Sequence, residues 1–235
     1  MFDLNADWAV IAKTLRSDPT LARLAEAEEG LRVAGCWNAF ELTTRVILEQ
    51  HVSLDRDAAL TAQLVKAFGQ PFFAAAKLTH LFPTPESLAV ADLTRSGLAP
   101  AKAETIGAFA RAVCDRRIKS EGITDSEAFL QQLCEIRGIE KSTAQYVAMS
   151  ALRDPDAFPA ADPALWRIAG ARTARELERR SDASRPWRAY AATLLWQSVR
   201  NISAQRPASQ ARPASLGETH TMRADRQSAG DFGPR

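Results

Sequence analysis

Apolar residues recur three or four positions apart through nearly every segment between Trp8 and Val199, and stretches that alternate apolar with polar are few. That period belongs to a helix rather than a strand, and it predicts an all-α protein. An amphipathic helix is predicted over 8–24, followed by turn-like chain around Gly30 and Gly35. Residues 40–48 place Phe40, Thr43, Thr44, Ile47 and Leu48 at helical spacing, and another helix is predicted over 54–68, before Gly69. Pro83 and Pro85 punctuate a short connection. A small helix over 87–96 then stops at Gly97, a residue suited to a helix C-terminus, and the next runs over 101–116.

The most informative stretch is 124–152. Thr124 and Glu127 have the spacing of a capping box, and Phe129, Leu130, Leu133 and Ile136 mark one apolar face. The helix must stop at Gly138. After the turn Arg137-Gly138-Ile139-Glu140 a second helix starts near Lys141 and buries Ala144, Val147, Ala148 and Leu152. Two helices joined so tightly form an αα-hairpin. A glycine turn leading into a helix exposes backbone N–H groups that can hold a phosphate without a basic side chain; a plain packing unit would have the same pattern.

About twenty residues further on, Asp162 followed by Pro163 reads as an N-cap with proline at the first helical position. The amides and dipole of such a helix favour an anion. A carboxylate at the rim of a pocket is suited to stabilising a sugar that turns cationic as its base departs, and to orienting the attacking water. The same residue would serve equally as a structural cap. Asp154 and Asp156 read as solvated turn residues.

Composition is that of an ordinary globular protein, 46% hydrophobic and 25% charged. No apolar run approaches the roughly 20 residues of a membrane-spanning helix, and no basic-then-apolar leader opens the chain. Cys36, Cys114 and Cys134 lie far apart, without the spacing of a metal site, which fits a reducing cytoplasm. No metal is expected. Net charge is only +2, and the tail from residue 201 carries five arginines against three acids, so the first 200 residues balance at 25 of each sign. Any nucleic-acid contact should therefore be local and use few phosphates. From Arg206 the chain turns to Arg, Ala, Ser, Gly and Pro without periodicity. The domain is placed at 1–203 and a disordered tail at 204–235.

Residues 133–149 (LCEIRGIEKSTAQYVAM) resemble the hairpin signature of the helix-hairpin-helix DNA glycosylases, whose usual form is LPGIG followed by WTA or KTA. Residues 156–162 (DAFPAAD) resemble the segment that bears that family's catalytic aspartate. Further matches are 47–53 (ILEQHVS), 81–85 (LFPTP), and 186–190 (PWRAY) with Trp196. Over about 30–200 the chain is similar to the 3-methyladenine DNA glycosylase II branch.

The resemblance implies a two-lobed helical fold with the lesion pocket between the lobes, and Asp162 as the catalytic residue. It implies Tyr146, Trp196 and Ser142 at the base pocket and Gln50 and His51 at the wedge that fills the duplex gap. It also implies Arg137, Gly138, Ile139, Glu140, Lys141 and Thr143 at a DNA phosphate. An electron-poor alkylated purine would gain a cation–π contribution from stacking on aromatic faces. Trp187, nine residues before Trp196, would face the core. The implied partner is double-stranded DNA with alkylated bases, met by a bacterial-type, cytoplasmic, nucleoid-associated monomer. The lyase lysine of bifunctional relatives is replaced by Ser142, with Lys141 one residue early, and the four-cysteine iron–sulfur loop of another branch is missing. A monofunctional glycosylase without cofactor is therefore expected.

Four positions depart from the family pattern. Glu140 replaces the second hairpin glycine, Arg137 the proline, Ser142 a tryptophan, and Glu49 a glycine before the wedge. Glu140 is the most consequential, since a carboxylate there repels phosphate; Arg137 is placed to compensate. The β-rich N-terminal lobe of longer relatives is expected to have no counterpart in the first 37 residues. The departures leave room for a non-catalytic lesion-binding relative, and the helical pattern alone for a protein-interaction domain.

Overall fold

Where the sequence pattern runs on unbroken, capping chemistry still divides it. The computed structural model describes residues 3–50, 54–75, 78–119, 122–123 and 125–205. The amphipathic stretch predicted as one helix over 8–24 is two, α1 (Trp8–Leu15) and α2 (Pro19–Ala27). Asp18 adopts extended backbone, its Oδ1 accepts the amides of Thr20 and Leu21 at 2.8 and 3.2 Å, and Pro19 starts the new helix. A proline disfavours helical backbone in the residue before it and cannot continue the preceding ladder. Likewise the helix predicted over 87–96 is α5 (Pro85–Val90) and a separate 3₁₀ turn, Leu93–Ser96, capped by Asp92. Gly97 follows in the left-handed region.

The remaining helices are α3 (Ala39–Glu49), α4 (Leu54–Phe68), α6 (Pro100–Cys114), α7 (Ser126–Cys134), α8 (Lys141–Val147), α9 (Pro163–Ala169), α10 (Ala174–Ser181) and α11 (Arg188–Gln205). The predominantly helical expectation holds, with one addition: strands β1 (Pro71–Ala75) and β2 (Leu78–His80) form an antiparallel pair after α4. Helix α7 is capped by Asp125, whose Oδ1 accepts the Ala128 amide at 2.9 Å. The expected cap, Thr124, lies outside the described residues, as do 206–235 of the predicted tail. After α8 the backbone widens into a π turn, Ala148–Leu152. Ala144, Val147 and Ala148 are buried there as expected, while Leu152 is half-buried.

These helices enclose two hydrophobic cores. One gathers α3 to α8 around Phe40, Ile47, Leu64, Leu88, Ile106 and Leu133, with Phe40 and Phe109 stacked at 5.3 Å. The other is composite: α1 and α2 pack with α9, α10 and α11 around Ile11, Leu15, Leu165, Tyr190 and Leu194. The Cys36 amide donates to Ser150 O at 2.9 Å, tying the strand of chain between the lobes to the π turn. Leu130, Tyr146 and Leu152 pack against both cores. Tyr190 is fully buried, and its hydroxyl donates to the Asp3 carboxylate. Burial raises that phenol's pKa, so it stays a donor.

Trp187 sits just ahead of α11, edge-on to Tyr190 at 6.0 Å and part of the second core, as expected. Asp156 is no solvated turn residue. Its carboxylate takes a bidentate pair of bonds from Arg188, Nε at 2.8 Å and Nη2 at 2.9 Å, and a further bond from Arg185. That fork holds the 153–162 segment against α11. Only the Asp154-to-Asp156 turn bond fits the sequence expectation.

In the hairpin turn, Gly138 has φ +94°, and a Cβ there would collide with Thr105 Oγ1 and lie 3.2 Å from its Cβ and Cγ2. Gly138→Ala should cost about 2–4 kcal/mol, the left-handed strain adding to overlap. Urea unfolding of Gly138→Ala, Thr105→Ala and the double variant should show the double losing less than the two singles together. Asp156→Ala strands a nearly buried guanidinium, Arg188 being 12% exposed. A loss of about 2 kcal/mol is expected in the same assay, against under about 0.5 for Asp182→Ala at the exposed rim.

Candidate active site

Three elements converge on Asp162. It caps α9 with extended backbone, φ −69° and ψ 118°, because Pro163 needs no amide partner and the next amides need an acceptor. Its Oδ1 accepts the Ala164 amide at 2.6 Å, which is the structural role expected of a cap. Its Oδ2 accepts the indole Nε1–H of Trp196, on α11, at 3.0 Å. A cap needs only one oxygen. The second is held by a residue 34 positions away, and each oxygen keeps a further lone pair for water or substrate.

Trp196 meets Tyr146 of α8 edge to face, ring centroids 5.6 Å apart and planes at 63°. Both rings are half-buried, so each presents surface beyond the pair. Tyr146 stands where the two cores join, and Ser142 lies one turn before it on the same face of α8. The predicted residues Asp162, Trp196 and Tyr146 are thus brought together from α9, α11 and α8, with Ser142 one turn before Tyr146. Two residues that sequence reasoning missed hold it. The Gln145 side-chain carbonyl accepts the Phe158 amide at 3.0 Å, and the Trp166 indole donates to Ala160 O. Neither carries a motif that would mark it; both act by fixing the 153–162 segment in place.

The hairpin residues divide into two sets. Arg137, Gly138, Glu140 and Lys141 are exposed. Ile139 is turned inward, its side chain buried and its amide donating to Ile136 O at 3.0 Å, so it offers no donor outward. Glu140 has φ −82° and caps α8 without a side-chain capping bond. Glycine is therefore not needed there, unlike at Gly138. Lys141 pairs with Glu178 of α10 at 3.6 Å. Thr143 is buried, and its hydroxyl accepts from the Gln50 side-chain amide at 2.7 Å. Gln50, expected at a wedge, points to the hairpin instead; His51 lies outside the described residues.

Among the described residues no group of three or more His, Cys, Asp or Glu side chains could hold a metal ion, and no helix is long and apolar enough to cross a membrane. Burial pushes the half-buried Cys36 thiol up, which does not suit a nucleophile.

A sequence model of the AlkA N-terminal domain matches residues 1–38. That corrects the expectation that the first 37 residues have no counterpart in the N-terminal lobe of longer relatives, although here they form helices α1 and α2. The chain is 32% identical over 213 residues to the "Probable bifunctional transcriptional activator/DNA repair enzyme AlkA" of Mycobacterium tuberculosis, covering 88% of this chain and 43% of the relative. It thus spans less than half of that protein. It is 30% identical over 199 residues to DNA-3-methyladenine glycosylase 2 of Escherichia coli, covering 83% of this chain and 68% of that one. Its fold matches the 3-methyladenine DNA glycosylase Mag1 of Schizosaccharomyces pombe, solved with abasic DNA. The TM-score is 0.66 at 20% identity, over 81% of this chain and 96% of the other. With that identity over two thirds of the Escherichia coli protein's length and the fold in agreement, this chain belongs to the AlkA family of DNA-3-methyladenine glycosylases.

Proposed function

We propose that the protein is a monofunctional DNA glycosylase that hydrolyses the N-glycosidic bond of alkylated purines. The observation that carries this reading is the Asp162 carboxylate, held from both sides by Ala164 N–H and Trp196 Nε1–H beside the Tyr146 ring. A lesion extruded from the duplex would stack on the exposed faces of Tyr146 and Trp196, worth about 1–3 kcal/mol per base and more for a cationic purine. As the bond from C1′ to the purine nitrogen breaks, the base leaves with the bonding pair and the sugar becomes cationic. Asp162 stabilises that charge and accepts a proton from the water that attacks C1′, leaving free base and an abasic site. The relatives' names, DNA-3-methyladenine glycosylase 2 among them, support the substrate class.

DNA would be met at the hairpin through Gly138, the leading amides of α8, and Arg137, few contacts that suit a balanced net charge. The wedge role stays with His51, while Gln50 braces the end of α3 beside it. Lys141 pairs with Glu178 of α10, which supports hydrolysis without a lyase step. One base engaged at a time needs only a monomer, acting where bacterial DNA is. The exposed Glu140 carboxylate at the head of α8 favours the second reading, a non-catalytic binder of lesions.

Base release from methylated duplex DNA at low salt, with and without alkali, separates these. Wild type should release base and give strand breaks only after alkali. Asp162→Asn keeps the cap acceptor and the fold, and should lose about 10²–10³-fold in rate. Trp196→Phe keeps a ring beside Tyr146 but loses the indole bond, and should lose about tenfold. Full release by Asp162→Asn would refute the role of the carboxylate, and binding without release would establish the second reading.

A further inference from the structure

On helix α6 the polar side chains of Lys102 and Thr105 are three positions apart and therefore on one face. The half-buried Lys102 donates from Nζ to Leu48 O at 2.6 Å and Gln50 O at 2.8 Å, the carbonyls at the end of α3. An ammonium is the natural partner there, since the last carbonyls of a helix lack intrahelical donors and carry the negative end of its dipole. The Thr105 hydroxyl, one turn on, shares its proton between the carbonyls of Ala101 and Arg137, both at 3.0 Å, and its side chain is the surface against which Gly138 fits. The Gln50 amide then donates to Thr143 Oγ1 at 2.7 Å. The contacts close a circuit: from α6 to the end of α3, across to α8, back through the hairpin turn, and to α6 again.

We infer that this circuit sets the spacing between the end of α3 and the hairpin turn, with Lys102 as its positioning residue. Lys102 holds the carbonyls at the end of α3. It acts through Gln50, whose side chain can reach Thr143 only while the carbonyls of Leu48 and Gln50 are held. A duplex that meets both the end of α3 and the hairpin must accommodate two contacts at a fixed separation, and extrusion of a base is the step that would depend on it. This last consequence rests on the glycosylase reading; the circuit itself does not. The end of α3 is joined to α6 by charge-assisted bonds, stronger than ordinary amide pairs, while beyond their shared core the hairpin turn is joined to α6 by one hydroxyl and a steric fit. Loosening Lys102 should therefore reach the hairpin as well as α3.

The test uses the full chain and four proteins: wild type, Lys102→Met, Lys102→Arg and Gln50→Leu. Methionine keeps the length and removes the donors, whereas arginine restores donors to the same carbonyls. Amide hydrogen exchange without DNA should quicken in Lys102→Met both at 45–50 and at 137–147, with 163–169 unchanged, and Lys102→Arg should recover most of the protection. Gln50→Leu should quicken 137–147 alone. Quickening confined to 45–50 in Lys102→Met, or none at all, overturns the circuit. With DNA, Lys102→Met should lose about tenfold in single-turnover base release from a methylated duplex, but under about twofold from the same lesion in a bulge, where extrusion costs less. Equal losses on both substrates would show a merely structural role. If wild type releases no base, the glycosylase reading falls while the exchange result still decides the circuit.

Discussion

The bond from the Trp196 indole to the Asp162 carboxylate constrains more of this protein than any other polar contact. It requires α11 to lie along the start of α9, which in turn requires the 153–162 segment to cross from the π turn to Asp162 in one conformation. Three anchors supply that: the Arg188 fork on Asp156, the Gln145 carbonyl on the Phe158 amide, and the Trp166 indole on Ala160 O. Because the anchors stand on α8, α9 and α11, the carboxylate and its aromatic neighbours are held by rigid helices rather than by the loop that carries Asp162. Preorganisation of this kind is what electrostatic stabilisation of a developing charge depends on.

The composite lobe explains why the site falls where it does. Helices α1 and α2 pack with α9, α10 and α11, so the polypeptide leaves one lobe after α2, builds the other from α3 to α8, and returns through the π turn. The return point lies beside Tyr146, which packs on both cores. A π turn widens the helix and shifts the phase of the residues beyond it, and here it lets one continuous helical run serve first the hairpin lobe and then the composite one. Asp162, Tyr146 and Trp196 consequently come together from α9, α8 and α11.

Local chemistry specifies the features that could be read from the sequence. Helical periodicity and the Asp162–Pro163 start each depend on residues within a turn of one another, and each is present; the helix expected to stop at Gly138 ends earlier, at Cys134 with Glu135 as its cap. Tyr146 and Trp196 were identifiable only through resemblance, since a half-buried aromatic looks like any core aromatic in a periodicity pattern. The break at Asp18 was legible in principle, because Asp followed by Pro is the same signal as at Asp162; an unbroken apolar stripe masked it. The role of Asp156 was not legible, since its partners are 29 and 32 residues away. Lys102 and Thr105 escaped for the same reason, their acceptors being backbone carbonyls that no side-chain motif announces.

The positions of the family's hairpin pattern fall into two kinds, and the backbone separates them. At Gly138 both the left-handed φ and the contact with Thr105 exclude a side chain, and glycine is retained. At Glu140 the backbone lies in the ordinary extended region, so a side chain costs no strain and the substitution leaves the turn intact. Ser142 is equally free of backbone constraint, since it occupies the first turn of α8 beside Tyr146. The architecture of the hairpin is therefore indifferent to both changes. What they alter is the charge presented at the head of α8 and the side chain one turn before Tyr146, the two places where the proposed function puts a phosphate and a base.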